Sequence, residues 1–187
     1  MDLRRTLLLF SFIFTGSLAI AQPKDRWTIQ DGGAIRWSIN DNIPHDDHLE
    51  MSGQQLSVVL RYGVDAQKRF HLNRSLVFPM LRMHPNKTQN NLKQRFDVNI
   101  PALVTVDDQT LLNEEVRDVT FNGIMRVESS FGYIYRRKEL KDAVQLTRVL
   151  YPSTNAAHYC EEYTFKNSSP NQITLRVPEW NVIYTNA

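Results

Sequence analysis

The chain predicts an all-β fold, an antiparallel β-sandwich with little helix, and three observations predict it. Leu56, Val58, Leu60 and Tyr62 alternate with Ser57, Val59 and Arg61, the period-two pattern of a strand with one face on a core. Turn chemistry recurs at short intervals, at Asp31-Gly32-Gly33, Ser52-Gly53, Asp107-Asp108, Asn122-Gly123, Tyr151-Pro152-Ser153 and Asn167-Ser168-Ser169-Pro170-Asn171. Apolar spacing of three and four, the mark of an amphipathic helix, is almost absent. Ten or more short strands joined this way read as a sandwich.

The first 21 residues stand apart from that pattern. Arg4 and Arg5 open the chain with positive charge, and an apolar run from Leu7 to Phe14 follows. Thr15-Gly16-Ser17 breaks the run, and Ala19-Ile20-Ala21 supplies a small-x-small cleavage site. The order of these parts is that of a secretory signal, and the run is too short to span a bilayer. The mature chain is expected to begin at Gln22 and to be periplasmic or secreted, with no membrane anchor after cleavage. Residues 22–187 then form a single sandwich domain. The chain stops soon after a strand, at Tyr184-Thr185-Asn186-Ala187, and reads as the front of a longer protein.

Further strands follow from the same alternation. Val119, Phe121, Met125 and Val127 share a face if the loop around Asn122-Gly123 has three residues, with Gly123 left-handed. Phe131, Tyr133 and Tyr135 form one stripe. Tyr159, Glu161, Tyr163 and Phe165 share one face, and Cys160, Glu162 and Thr164 the other. Ile173, Leu175 and Val177 alternate until Pro178 stops the ladder. The polar stretch from Pro85 to Lys93 reads as a long loop. Leu111–Val116 and Arg137–Asp142 read as short helical turns.

Composition narrows the function. Without Asp2, Arg4 and Arg5 the net charge is +1, so bulk charge attracts neither nucleic acid nor an anionic membrane. Cys160 is the single cysteine, and without a disulfide an exported domain depends on its apolar core. Cys160 reads as a small buried residue rather than a catalytic thiol. No nucleophile elbow, P-loop or dinucleotide fingerprint is present, and no cofactor is expected.

The densest ionisable cluster lies in Pro44–Gly53, where His45, Asp46, Asp47, His48 and Glu50 fall within six positions. Metal ligation, a sugar-binding or interdomain surface, and a merely solvated start of a strand are the readings it admits. Extended chain places His48 and Glu50 on one face and Asp47 on the other. No second half of a zinc motif follows and the spacing is not that of an EF-hand loop, so no metal site is assigned. Three adjacent carboxylate pairs exist, Asp46-Asp47, Glu114-Glu115 and Glu161-Glu162; neighbours on a strand point to opposite faces, so Glu161 and Glu162 do not flank one glycosidic bond. No catalytic residue is assigned. The aromatic stripe at Tyr133 and Tyr135 has two readings: a platform for stacking sugars, or an ordinary core face. Trp27, Trp37 and Trp180 read as packing residues at the two ends of the domain. The candidate binding or interdomain residues are therefore His45, Asp47, His48, Glu50, Tyr133 and Tyr135.

The stretch QLTRVLYPSTNAAHYCEEYTFKNSSPNQITLRVP, residues 145–178, is similar to the late strands of a known domain. That domain is the N-terminal β-sandwich, or supersandwich, of bacterial glycoside hydrolases with an (α/α)6 barrel. It shares a strand ending in an R-x-x-Y-P-S-like turn, a strand ending in N-S-S, and then a strand like ITLRVP. The run IPHDDHLEMSGQQLSVVLRYGVD also resembles secreted Bacteroidetes proteins of this class. The resemblance implies a division of labour, in which the acid and base sit on a downstream helical catalytic domain. The sandwich packs on that barrel and contributes at most to carbohydrate binding. A stand-alone carbohydrate-binding module is the alternative.

Overall fold

A computed structural model describes residues 26–39, 44–67, 69–82, 91–96, 98–179 and 181. The leader, residues 83–90 of the Asn-rich stretch and Trp180 lie outside the described residues. In chain order the strands are β1 (Trp27–Ile29), β2 (Ile35–Ser38), β3 (His45–Ser52), β4 (Ser57–Val64), β5 (Phe70–Arg82) and β6 (Asn91–Phe96). Then come β7 (Thr105–Val106), β8 (Gln109–Thr110), β9 (Leu112–Phe121), β10 (Met125–Tyr135), β11 (Lys138–Pro152), β12 (Tyr159–Asn167) and β13 (Leu175–Arg176). Among the described residues there is no α-helix; Ile100–Leu103 forms a 3-10 turn with proline in its first turn. All pairing is antiparallel, and the fold is an all-β sandwich.

One six-stranded sheet, β1-β2-β9-β10-β11-β12, is the floor of the molecule. The four-stranded sheet β3-β4-β5-β6 covers one part of it, and the three-stranded sheet β13-β7-β8 covers another. Period-two burial explains the first layer. Val58, Leu60, Tyr62 and Val64 on β4 meet Trp37, Val119, Met125, Val127 and Leu150 from the floor in one buried cluster. Trp27 and Trp37 pair across β1 and β2 and pack with Tyr62 in that cluster. A second cluster holds Val106, Phe131, Tyr133, Ala143, Val144 and Leu146, with Ile173 and Leu175 packed on it. Burying these faces is the main stabilisation, at about 25 cal/mol per Å² of apolar surface.

The turns follow their residues. Phe121 pairs with Met125 across the three-residue loop at Asn122–Ile124, where Gly123 takes φ 98°. Asp107-Asp108 and Arg136-Arg137 each form two-residue hairpin loops with both φ positive, the type I′ geometry that matches strand twist.

Several expectations are corrected. Leu111–Val116 and Arg137–Asp142 are not helical turns; Leu111 links β8 to β9, and the rest lie in β9, the β10–β11 hairpin and β11. Asn91–Lys93 begin β6 instead of ending a loop. The ITLRVP segment pairs only at Leu175 and Arg176, because its partner β7 is two residues long, and Val177 is exposed. Cys160 is free and only half-buried, on the face of β12 turned away from the floor's core.

Candidate functional site

Alternation splits the Pro44–Gly53 cluster. His45 and Asp47 on β3 face the core side, and His48 and Glu50 are exposed on the opposite face. The His45 ring stands edge-on to Trp37 at 5.1 Å, bonds Arg26 through Nδ1, and lies 3.6 Å from Asp47 through Nε2. On the outer face Asp46 reaches across β4 to His71, with Oδ1 2.6 Å from Nε2. It does so over Gly63, which pairs with both residues. Together with His48, Arg61 and Asn73 they line a shallow depression of about 400 Å³. The structure thus brings Asp46, His48 and His71 to one surface, whose depression Asp47 also borders, while the His45 ring packs on the core side against Trp37. Among the described residues no three His, Cys, Asp or Glu gather as a metal site.

Tyr133 is fully buried in the second cluster. Tyr135 is half-buried against it, with ring centroids 6.5 Å apart. The aromatic stripe is a core face under the three-stranded sheet. Arg136 and Arg137 beyond it form the hairpin turn.

A different region holds the largest concavity described. The two buried clusters meet along a seam on the floor. Leu150 belongs to the first cluster and Leu146 to the second, so Arg148 between them on β11 sits at the seam. On β12 Tyr159 packs on the first cluster and Tyr163 on the second, and Glu161 lies between. The facing sheet supplies Arg74 from β5, which donates from Nη2 to Glu161 Oε2 at 2.9 Å and from Nε to Oε1. It also donates to the Leu72 and Val98 carbonyls. Tyr163 donates its hydroxyl to Glu161 as well. Arg148 pairs with Glu114 of β9 and lies 5.7 Å from the Phe70 ring centre. Alternation puts these charges inside, and pairing makes their burial tolerable.

Electrostatics separate the two arginines. Burial alone would lower Arg74, but the hydrogen bond and charge of Glu161 hold it above its ordinary value. Burial pulls Arg148 down to about 10, and its Nε has no partner. Burial and then the Glu161 charge raise Tyr163 well above its ordinary value.

Arg148 and Glu114, with Phe70 and Asn99, line a cavity of about 190 Å³. Phe70, Asn99 and Glu114 continue into an open cleft of about 610 Å³. Its far wall is built by two β-bulges flanking Gly132 on β10. The β9–β10 register slips between Ser130 and Gly132, and the β10–β11 register slips between Phe131 and Tyr133. The extra residues include Asn113 at φ 46° and Asp142 at φ 52°, both lining the cleft. Bulges re-aim side chains, and they recur beside functional sites. Asn113 donates from Nδ2 to Glu139 Oε1 at 3.3 Å. Asp142 accepts from Ser130 Oγ at 2.6 Å and Arg117 Nη2 at 2.8 Å. These bonds hold its carboxyl below the usual range, the Ser130 bond first.

Sequence reading missed this site. Its trace is two breaks in alternation, the adjacent pairs Leu111-Leu112 and Ala143-Val144 beside the bulged residues. Such adjacency marks a bulge only once the partner strand is known. No family model matches the chain, and comparison with curated proteins and with solved structures gives no match either.

Proposed function

We propose that this chain is the N-terminal accessory sandwich of a secreted carbohydrate-active enzyme, a glycoside hydrolase. It packs against a downstream helical catalytic domain and contributes binding, not bond cleavage. The observation that carries this reading is the pairing of four carboxylates at the seam, the cleft and the floor sheet. Glu161 and Glu114 at the seam are each paired with a buried arginine. Asp142 is held low by Ser130 and Arg117, and Asp118 is held low by Arg36 and Ser38 against the opposing effect of burial. A glycosidase acid needs the reverse shift, a raised pKa that keeps its proton at working pH. Ionised carboxylates beside amides in a cleft are acceptors for hydroxyl groups instead.

A stand-alone carbohydrate-binding module is the second reading. It is favoured by one observation, an open cleft of about 610 Å³ within the sandwich itself. The test is affinity electrophoresis of the mature chain in soluble polysaccharides, run beside a reducing-sugar assay on the same substrates. Retardation without sugar release is expected, and turnover by the chain alone would overturn both readings. Reading the coding frame beyond Ala187 separates them: several hundred residues of helical-period sequence support the accessory domain, and a stop codon supports the module.

A further inference from the structure

We propose that the cleft at the paired bulges is the ligand site, and that it takes a neutral polyhydroxylated ring. The proposal rests on the carbohydrate reading above and places it at particular residues. The cleft's volume of about 610 Å³ is within the range of roughly 300–1,000 Å³ that small-ligand sites occupy. Its chemistry is that of hydroxyl recognition. Asn113 and Glu139 already bond to one another on the exposed wall, and each keeps free acceptor capacity for a hydroxyl donor.

The adjoining cavity of about 190 Å³, which shares Phe70, Asn99 and Glu114 with the cleft, supplies the complementary donor. Arg148 is almost wholly buried, makes one ion pair to Glu114, and leaves Nε unpartnered. A buried donor without a partner costs free energy, and a ligand or ordered water that accepts from it recovers that cost. Phe70, stacked near the guanidinium, provides an apolar wall for the carbon face of a ring. The two left-handed residues, Asn113 and Asp142, are the extra residues of the bulges and both line the cleft.

Charge selects the class of ligand. Glu114, Glu115, Glu139 and Asp142 line the cleft against Arg69 and Lys141. Glu114 is paired with Arg148, Asp142 with Arg117, and Arg69 with Asp65 at 2.8 Å, which leaves Glu115 and Glu139 facing Lys141. An anionic sugar would meet carboxylates first, so a neutral one is preferred.

The experiment is isothermal titration of the mature chain with cellohexaose, maltohexaose, xylohexaose and mannohexaose, and with trigalacturonate as the acidic probe. Asn113→Gly keeps the left-handed backbone while removing the amide, and Glu139→Ala removes an exposed acceptor, so both variants should melt as the parent does. At least one neutral probe should bind, with Kd raised about tenfold or more in each variant, and Glu139→Gln should retain part of the affinity. A His48→Ala/Glu50→Ala variant on the outer sheet face should bind as the parent does. Neutral binding that survives both cleft variants but fails in the outer-face variant would overturn the cleft and leave the accessory reading standing. Stronger binding of trigalacturonate would overturn the neutral class. No binding of any probe would overturn the site, while the accessory reading would still be judged by turnover and the downstream frame.

Discussion

Arg74 and Arg148 are two buried cations with different surroundings, and the difference predicts how each responds to mutation. Arg74 has a two-pronged carboxylate partner and two backbone acceptors. Arg74→Met alone strands Glu161 in the seam, and breaking a buried pair this way costs about 3–5 kcal/mol. Adding Glu161→Leu removes the stranded charge, so the double variant should regain most of that loss. Urea unfolding of the two single variants and the double measures the coupling. A double variant as unstable as the worse single would show that the pair orders the seam beyond its charge. Neither arginine was legible in the sequence. Leu72, Arg74 and Leu76 share a face, yet only the facing sheet reveals that Glu161 waits opposite Arg74.

Strands carry their own constraints, and β4 shows the sharpest. Gly63 is buried between Asp46 and His71. A Cβ there would collide with the His45 carbonyl oxygen and lie 2.8 Å from His71 Cε1. The collision is with backbone, which cannot step aside, so Gly63→Ala should destabilise by about 1–3 kcal/mol, the usual cost of overpacking. Gly32, at φ 87° with nothing within 4 Å of its Cβ position, provides the contrast. Its replacement by Ala should cost only the left-handed strain of about 1–2 kcal/mol and leave the Asp46–His71 contact intact. Thermal melting ranks the two. The bulges in β9 and β11 work at the same scale. They place polar residues on a wall where strict alternation would have continued the ladder, which is why those segments misread as helical turns.

Across the molecule the phenols tie both layers of the sandwich to pH. Tyr62 in the four-stranded sheet is raised by burial and then by Asp47. Tyr159 and Tyr163 on β12 are raised by burial and then by Glu161. A phenol whose folded pKa lies above its unfolded value of about 10 contributes stability that is fully present below pH 10. Above that, the unfolded chain loses the proton and the folded chain keeps it, so stability falls as pH rises. Absorbance at 295 nm should therefore show these three tyrosines ionising together with the loss of tertiary signal. A smooth titration near pH 10 without unfolding would mean that the sandwich interior is wetter than its packing implies.

The sequence by itself determined the class of fold, because burial of one face per strand writes a period of two into the residues. It determined the hairpin at Gly123 and the separation of His48 and Glu50 from Asp47, since both follow from local geometry. Only the tertiary structure decided which faces meet. Tyr133 could serve a core or a platform on alternation alone, and the three-stranded sheet above it made it core. The seam, its paired arginines and the cleft at Asn113 and Asp142 arise from the register of paired strands and from facing sheets that join residues up to 89 positions apart. Register is a property of pairs of strands. No single stretch of chain encodes it, and the candidate site is built where two pairings slip.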